Sequence, residues 1–113
     1  MIPIRLRSRH WIVDDKERII MGEGRKEILE TIEKTGSLNQ TAKIMKMSYK
    51  GAWSKIKATE RYLNMRVVYT DRKEGTRLTK AGKELLEKYR LLNERCLKED
   101  NKIFERIFEQ EQF

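Results

Sequence analysis

Cysteine and histidine are scarce in this 113-residue sequence, and each occurs once, as Cys96 and His10. One cysteine excludes an intramolecular disulfide and a CxxC metal pair, and one histidine excludes a multi-histidine metal site. The same scarcity leaves few groups for nucleophilic catalysis, and no set of polar residues suggests a catalytic pocket. We therefore predict no metal, no cofactor and no enzymatic activity, and we interpret Cys96 as a small hydrophobic residue on a helix.

Long apolar stretches are also missing, since the apolar runs are only three or four residues long. A membrane-spanning helix needs about 20 apolar residues, so no transmembrane segment is predicted. The first residues, MIPIRLRSRHW, lack the apolar region of a secretory signal peptide. The expected location is the cytoplasm.

Acidic residues are absent between Ser37 and Lys57, a stretch that contains five lysines. The whole chain has a formal net charge of +8. Residues 1–80 contain 19 basic and 10 acidic residues, whereas residues 81–113 contain 7 and 8. Such a charge favours a polyanionic partner, either nucleic acid or an anionic membrane surface. The partner surface is predicted to lie before Lys80.

The first part of the chain is predicted to form a β-hairpin. Residues 4–13 alternate apolar and polar side chains, and the acidic sequence DDKE separates them from the apolar RIIM. This pattern is typical of two short strands, with Ile4, Leu6 and either Trp11 or Ile12 facing inward. The following GEG is interpreted as a tight turn rather than a phosphate loop, because the rest of the phosphate-loop pattern is missing.

Three helices are predicted after this turn. The sequence KEILETIEKTG has the apolar spacing of a helix that ends at Gly36. Ser37 and Gln40 match the capping box S-x-x-Q, which predicts a second helix that ends near Met47. Ser48 then begins a third helix. Two short apolar-faced helices at this spacing are typical of a helix-turn-helix, whose second helix enters the major groove of DNA.

The third helix has an apolar face and a polar stripe. Ala52, Ile56 and Leu63 share the apolar face, with Tyr49 beside them. The stripe is the predicted recognition face, and its members lie 4, 3 and 4 residues apart: Lys50, Ser54, Lys57 and Arg61. Of these, Lys50, Ser54 and Lys57 are expected to approach bases.

A basic β-hairpin is predicted directly after the third helix, because RVVYTD and TRLT are typical of strands and RKEG of a turn. A hairpin in this place is a wing, and its cations could reach phosphates or a minor groove. The predicted phosphate contacts are Arg72, Lys73 and Arg77 of the wing with Lys43 and Lys46 of the helix-turn-helix. The alternative is a solvated hairpin with ordinary surface charge.

The last part of the chain is predicted to be one helix of up to about 30 residues. Its apolar stripe is too long for one small winged domain to cover, so a second chain is expected to cover the distal half, including Phe113. The predicted dimer interface consists of Leu85, Tyr89, Leu92, Cys96, Ile103, Phe104, Ile107 and Phe108.

The predicted fold class is mainly α with small β. A winged helix-turn-helix domain is expected at residues 1–80, with the β-hairpin at its start, and a long C-terminal dimerisation helix at residues 81–113.

Three motifs, TGSLNQTAK, SYKGAW and LTKAG, resemble the winged helix-turn-helix of the ModE family of transcription regulators and, more remotely, of LysR-type regulators. The resemblance covers about residues 10–90 and implies a cytoplasmic DNA-binding homodimer. It places Ser48, Tyr49, Lys50, Trp53 and Ser54 at the groove-facing start of the recognition helix. For Tyr49 and Trp53 a place in the core stays open.

Two features depart from that family. The wing contains the short, charged DRKEGTR instead of a glycine-rich loop. The chain also ends at Phe113, which leaves no room for the molybdate-binding module of the two-domain members. We therefore expect no molybdate binding.

The principal hypothesis is a homodimeric regulator that binds double-stranded DNA at an inverted repeat, with no membrane partner. The alternative is a protein-interaction adaptor that uses the long helix and binds nucleic acid only non-specifically. RNA binding is less favoured, because no aromatic-rich sheet motif is present.

Overall fold

The computed structural model describes residues 3–108, and this part of the chain contains two antiparallel hairpins and four helices. The elements are β1 (Ile12–Val13), β2 (Ile19–Met21), α1 (Glu23–Thr35), α2 (Leu38–Ile44), α3 (Tyr49–Leu63), β3 (Val68–Asp71), β4 (Gly75–Leu78) and α4 (Lys80–Phe108). The predicted fold class, mainly α with small β, is confirmed. None of the helices within residues 3–108 is long and apolar enough to cross a membrane.

Local sequence signals set the ends of the short helices. The Ser37 hydroxyl accepts a hydrogen bond from the Gln40 amide at 3.0 Å, and the Ser48 hydroxyl accepts one from the Gly51 amide at 2.9 Å. These bonds satisfy amides that lack a partner within the first turn of a helix. Gly36 adopts the left-handed φ of 67° that ends α1, as the sequence predicts.

The core lies where α1, α2, α3 and the first turns of α4 meet the two hairpins. Its buried hydrophobic members are Ile20, Met21, Ile28, Leu29, Ile32, Leu38, Ala42, Ala52, Ile56, Val67, Val68, Leu78, Leu86 and Tyr89. Two of them, Leu86 and Tyr89, come from α4, so the long helix is part of the winged domain at its start. The domain boundary at residue 80 stays a prediction.

The first hairpin is confirmed, but it is shorter than predicted. Of the residues predicted to face inward, Ile12 is half-buried and packs against the core, whereas Ile4, Leu6 and Trp11 are exposed. The Asp14 carboxylate accepts bonds from the Lys16 and Arg18 amides and closes the turn directly after β1. The exposed residues precede β1 and are outside the hairpin. The buried residues of this hairpin are Ile20 and Met21, on the returning strand.

Residues 3–10 have no regular secondary structure and lie along α4. The Tyr89 hydroxyl donates to the His10 carbonyl at 2.8 Å, and the two His10 ring nitrogens lie 2.9 Å from Asn93 Oδ1 and 3.0 Å from Asp100 Oδ2. The Asn93 hydrogen bond, together with Asp100, raises the pKa of His10 against the opposing effect of burial. Because the folded pKa is raised, this contribution to stability is complete below pH 6.5 and is lost as pH rises through the folded pKa.

The start of α4 crosses the strand β3 at very close range. Thr79 begins the helix, because its hydroxyl accepts from the Gly82 amide at 3.0 Å and donates to the Arg66 carbonyl at 2.6 Å. A Cβ on Gly82 would lie 2.1 Å from the Val67 carbonyl oxygen. In the LTKAG motif, Thr79 therefore caps the helix, and Gly82 has no side chain that would block this close approach.

Gly82→Ala is expected to lower the free energy of unfolding by about 1–3 kcal/mol, because the backbone of β3 or α4 must move to admit the methyl group. Thermal unfolding followed by circular dichroism measures this change. The matched control is Gly24→Ala in α1, where an added Cβ meets nothing within 4 Å. That control should raise stability by about 0.4–1 kcal/mol. Equal melting temperatures for the two variants would contradict the role assigned to Gly82.

Candidate nucleic-acid interface

Helix α3 is held between the two hairpins by one hydrogen-bonded side chain on each side. The Thr59 hydroxyl donates to the Ile20 carbonyl of β2 at 2.8 Å. The Glu60 carboxylate accepts from the amides of Val67 and Val68, where β3 begins, at 2.8 and 3.2 Å. Since Ala52 and Ile56 are buried beneath the helix, the opposite face of α3 is open to solvent between the first hairpin and the wing.

The four residues of the predicted stripe lie on this open face, but they are not equivalent. Lys50 and Ser54 are exposed, and their side chains make no hydrogen bond or ion pair within residues 3–108. Arg61 is exposed, and its guanidinium lies 5.6 Å from the centre of the Tyr62 ring. Lys57 is already engaged, with its ammonium 2.9 Å from Glu60 Oε1 and 4.4 Å from the centre of the Trp53 ring.

The two aromatic residues of α3 have different environments. Tyr49 is 51% exposed in the first turn of the helix, beside the buried face that begins with Ala52. Trp53 is half-buried, because it packs against the core cluster on one side and carries the Lys57 ammonium over its ring. The structure therefore gives Tyr49 an outer position and gives Trp53 a position at the edge of the core.

The remaining predicted residues of the helix-turn-helix surround the start of α3. Lys43 and Lys46 are exposed, and within residues 3–108 neither has a carboxylate within 4.0 Å. Lys46 lies in the turn between α2 and α3 with a left-handed φ of 55°. Ser48 caps α3, so its hydroxyl already accepts from the Gly51 amide.

The wing is anchored close to its tip, by the first two residues of β4, to the glycine that ends α1. The Thr76 amide donates to the Gly36 carbonyl at 2.9 Å, and Gly75 has a φ of 80° at a point where a Cβ would lie 2.3 Å from that carbonyl oxygen. At the tip, Arg72 and Lys73 are exposed. The end of the wing that carries these two cations is therefore held against the junction of α1 and α2.

Arg77 differs from the other two cations of the wing, because it has an acidic partner. Its guanidinium lies 3.7 Å from the Glu74 carboxylate, and both side chains are more than half exposed. An exposed pair of this kind contributes little to stability and is weakened by salt, so Arg77 stays accessible to another anion.

The residue that sequence reasoning missed is Glu60, which is only 7% exposed. Burial raises the pKa of this carboxyl, but the hydrogen bonds from Lys57 and from the Val67 and Val68 amides outweigh it, so the pKa lies below its usual value. Glu60 is the single acidic residue between Lys34 and Thr70. A single acidic residue in a basic stretch of sequence indicates a structural role, and this pattern could have identified Glu60.

The predicted dimer interface on α4 divides into three sets. The prediction was wrong for Tyr89, which is 1% exposed and belongs to the core of its own chain. Phe104 stacks on Phe108 with ring centres 5.0 Å apart, and both rings line a groove with Leu6 of the N-terminal segment. Residues spaced by whole helical turns share one side of a helix along its whole length. That side of α4 faces the core at Tyr89 and solvent further along, so the spacing alone did not distinguish Tyr89 from the exposed residues.

Five of the predicted residues share one side of α4, with spacings of 7, 4, 7 and 4 residues. At the start of this side Leu85 packs against the core, and at its end Ile103 and Ile107 line the same groove as Phe104 and Phe108. Three of the five residues are exposed and two are half-buried. We call this set the α4 stripe, and it consists of Leu85, Leu92, Cys96, Ile103 and Ile107. Phe113, also expected at the interface, lies outside the described residues.

Comparison with known proteins agrees with this architecture. Residues 25–83, more than half of the chain, match the family of bacterial regulatory helix-turn-helix proteins of the lysR type. A protein of Azotobacter vinelandii described as "Molybdenum transport protein ModE" is 36% identical over 76 residues, which cover 64% of this chain and 28% of that protein. A protein of Herbaspirillum seropedicae with the same description is 38% identical over 74 residues, again 28% of its length.

The matched segment contains all but the first two residues of α1, the helix-turn-helix, the wing and the first turn of α4. The resemblance to ModE-like helix-turn-helix domains is confirmed. The chain spans about 28% of the length of these two relatives. It belongs to the lysR family of bacterial regulatory helix-turn-helix proteins.

Proposed function

We propose that this DNA-binding transcription regulator acts in the cytoplasm as a homodimer, on an operator that is an inverted repeat. The observation that carries the proposal is the acid-free surface of α2 and the start of α3, where Lys43, Lys46 and Lys50 are exposed without an ionic partner in the described part of the chain. A cationic helix-turn-helix surface without internal neutralisation favours a polyanion as its partner.

Roles within the interface follow from position and from existing contacts. Lys50 and Ser54 have free polar groups on the outer face of α3, so we assign them to base edges in the major groove, and Lys57 to the rim of the same face. Lys43 and Lys46 before α3, and Arg72, Lys73 and Arg77 on the wing, are assigned to phosphates.

The α4 stripe supports the homodimer. Its exposed members, Leu92, Ile103 and Ile107, lie on one side of a helix that extends beyond the winged domain. Two such helices related by a two-fold axis would cover each other and present two copies of α3 on one side of the duplex. Half-site centres should then lie about 10 bp apart, or a multiple of this distance.

A protein-interaction adaptor is the second candidate, and the same exposed stripe favours it. Selection of bound sequences from random duplex DNA distinguishes the two functions. An enriched inverted repeat supports the regulator, whereas no enrichment together with a stable heterologous complex through α4 supports the adaptor. RNA binding is tested by competition with structured RNA in the same experiment.

The proposal predicts a steep dependence of DNA affinity on salt, because each neutralised phosphate releases counterions. The slope of log K against log salt should be about −0.9 per contact, and Lys73→Ala should reduce its magnitude by about one contact. Lys73→Ala should weaken operator and scrambled duplex equally. Lys50→Ala should in addition lower the preference for the operator at particular base pairs by about 1–3 kcal/mol.

Fluorescence anisotropy at four or more salt concentrations, with both duplexes, measures these effects. Equal reductions of preference in the Lys50 and Lys73 variants would contradict the division of roles. A slope near zero for the unmodified protein would contradict DNA binding itself.

Molybdate is no part of this proposal. The two ModE relatives carry molybdenum in their description, but the similarity covers 28% of their length. The expectation that molybdate does not bind stays a prediction.

A further inference from the structure

One flank of α3 carries basic residues that the proposed function does not use. On the side next to β2, the Arg25 Nε donates to the Lys55 carbonyl at 3.3 Å, and the Arg18 guanidinium lies 4.3 Å from the centre of the Tyr62 ring. We call Arg18, Arg25 and Lys55 the hairpin flank. The opposite side of α3, next to β3, carries Lys57 and Glu60.

The hairpin flank has a positive charge that its surroundings do not fully neutralise. Lys55 is exposed, and neither Lys55 nor Arg25 has a carboxylate within 4.0 Å in residues 3–108. Arg25 is half-buried, and burial lowers the pKa of its guanidinium. Its single internal bond uses Nε, so its two terminal nitrogens have no hydrogen-bond acceptor within residues 3–108. Arg18 contributes less, because the Asp14 carboxylate lies 2.6 Å from its Nε.

The geometry of a helix in DNA shows what such a flank can contact. An α-helix with its side chains is about 10–12 Å across, and the major groove of B-DNA is about 12 Å wide. A helix that lies in the groove therefore has a phosphate backbone on each side, and the two backbones belong to different strands. Cations on both flanks of one helix contact both strands.

We propose that Arg25 and Lys55, assisted by Arg18, bind phosphates of the DNA strand opposite to the strand that the wing contacts. This inference rests on the proposed function, because it requires α3 to lie in the major groove. Besides Lys55 of α3, it assigns DNA contacts to Arg25 of α1 and to Arg18 of the first hairpin, which are outside the helix-turn-helix and the wing. The partner is the backbone, so the contact should carry no sequence preference.

The test uses the double variant Arg25→Gln with Lys55→Gln, in which the glutamine at position 25 can still donate to the Lys55 carbonyl. The salt slope for the selected operator should fall by about 2, or about 1 per residue, and scrambled duplex should bind more weakly by the same factor. Lys55→Gln alone, at an exposed position, should lower the slope by about 1 without affecting the fold.

Ethylation interference identifies the strand, because ethylation of a phosphate weakens binding only where the protein contacts it. In the double variant, the phosphates that no longer show interference should lie on one strand. In Lys73→Ala, the phosphates that no longer show interference should lie on the opposite strand.

A matched control removes the same charge elsewhere. Lys88→Gln with Lys98→Gln changes two exposed cations on α4 and should leave the slope within about 0.3 of the unmodified protein's. An unchanged slope in the Arg25/Lys55 variant, a changed operator preference, or an altered interference pattern on the wing's strand would each overturn the inference while the proposed function stands. If the unmodified protein binds no duplex, the proposed function fails, and the inference fails with it.

Discussion

Replacing Leu92, Ile103 and Ile107 by glutamine is expected to give a folded monomer that binds the operator about 100- to 10,000-fold more weakly. These three side chains are the exposed members of the α4 stripe, and the core of the winged domain does not include them. A dimer presents its second recognition helix at a high effective concentration once the first is bound, and a monomer has no such advantage. Affinity for a single half-site should change little.

Analytical ultracentrifugation at tens of micromolar and operator binding by anisotropy measure the two parts of this expectation. The matched control is Glu94→Gln with Lys98→Gln and Glu105→Gln, three exposed residues on the polar side of α4. It should remain dimeric with unchanged affinity. Unmodified protein that sediments as a monomer would contradict the homodimer, and a monomeric triple variant with full operator affinity would assign the α4 stripe to another partner.

Glu60→Ala is expected to lower the free energy of unfolding by about 3–5 kcal/mol, the usual decrease when one member of a buried ionic network is removed. The substitution leaves the Val67 and Val68 amides without their acceptor, and it leaves Lys57 without its carboxylate. The melting temperature should fall by more than about 10 °C. Glu27→Ala on the exposed side of α1 is the control and should change stability by less than about 0.5 kcal/mol.

The effect of Glu60 should depend on pH in a defined direction. Because its folded pKa lies below 4.5, the carboxylate contributes fully above that pH, and the contribution is lost as pH falls through the folded pKa. Urea unfolding at about pH 7 and about pH 3 should therefore show a large difference between Glu60→Ala and the unmodified protein at the higher pH and a smaller one at the lower pH. An equal difference at both values would exclude the charged form of Glu60 as the stabilising species.

Features that depend on residues close together in the sequence, such as helix ends and helix faces, were predicted correctly. Ser37 and Ser48 each bond to an amide three residues on, and Gly36 ends α1 at the predicted position. The open face of α3 follows from helical periodicity alone, so Lys50 and Ser54 were placed on it correctly. These features depend on local geometry, which sequence spacing fixes.

Contacts between segments that are far apart in the sequence were not predicted. Tyr89 has the spacing of a stripe residue, but it is buried in the core, and its hydroxyl donates to the His10 carbonyl, 79 residues away in sequence. The alternation in residues 4–10 predicted a strand, yet this segment lies along α4 with Ile4 and Leu6 exposed. The bonds of Glu60 were not predicted, because its two amide donors come close to it only when β3 lies beside α3.

Two side chains on the open face of α3 make no hydrogen bond or ion pair within the described residues, and this affects which residues of such regulators can change during evolution. Lys50 and Ser54 have no bonded partner within residues 3–108, whereas Lys57 is tied to Glu60 and to the Trp53 ring. Substitutions at positions 50 and 54 should therefore change stability by less than about 0.5 kcal/mol. Under the proposed function, these two positions can change during evolution and shift the preferred operator with no selection against misfolding. Position 57 is constrained by the fold itself, so descendants of a duplicated gene should acquire new binding sites through residues 50 and 54 first.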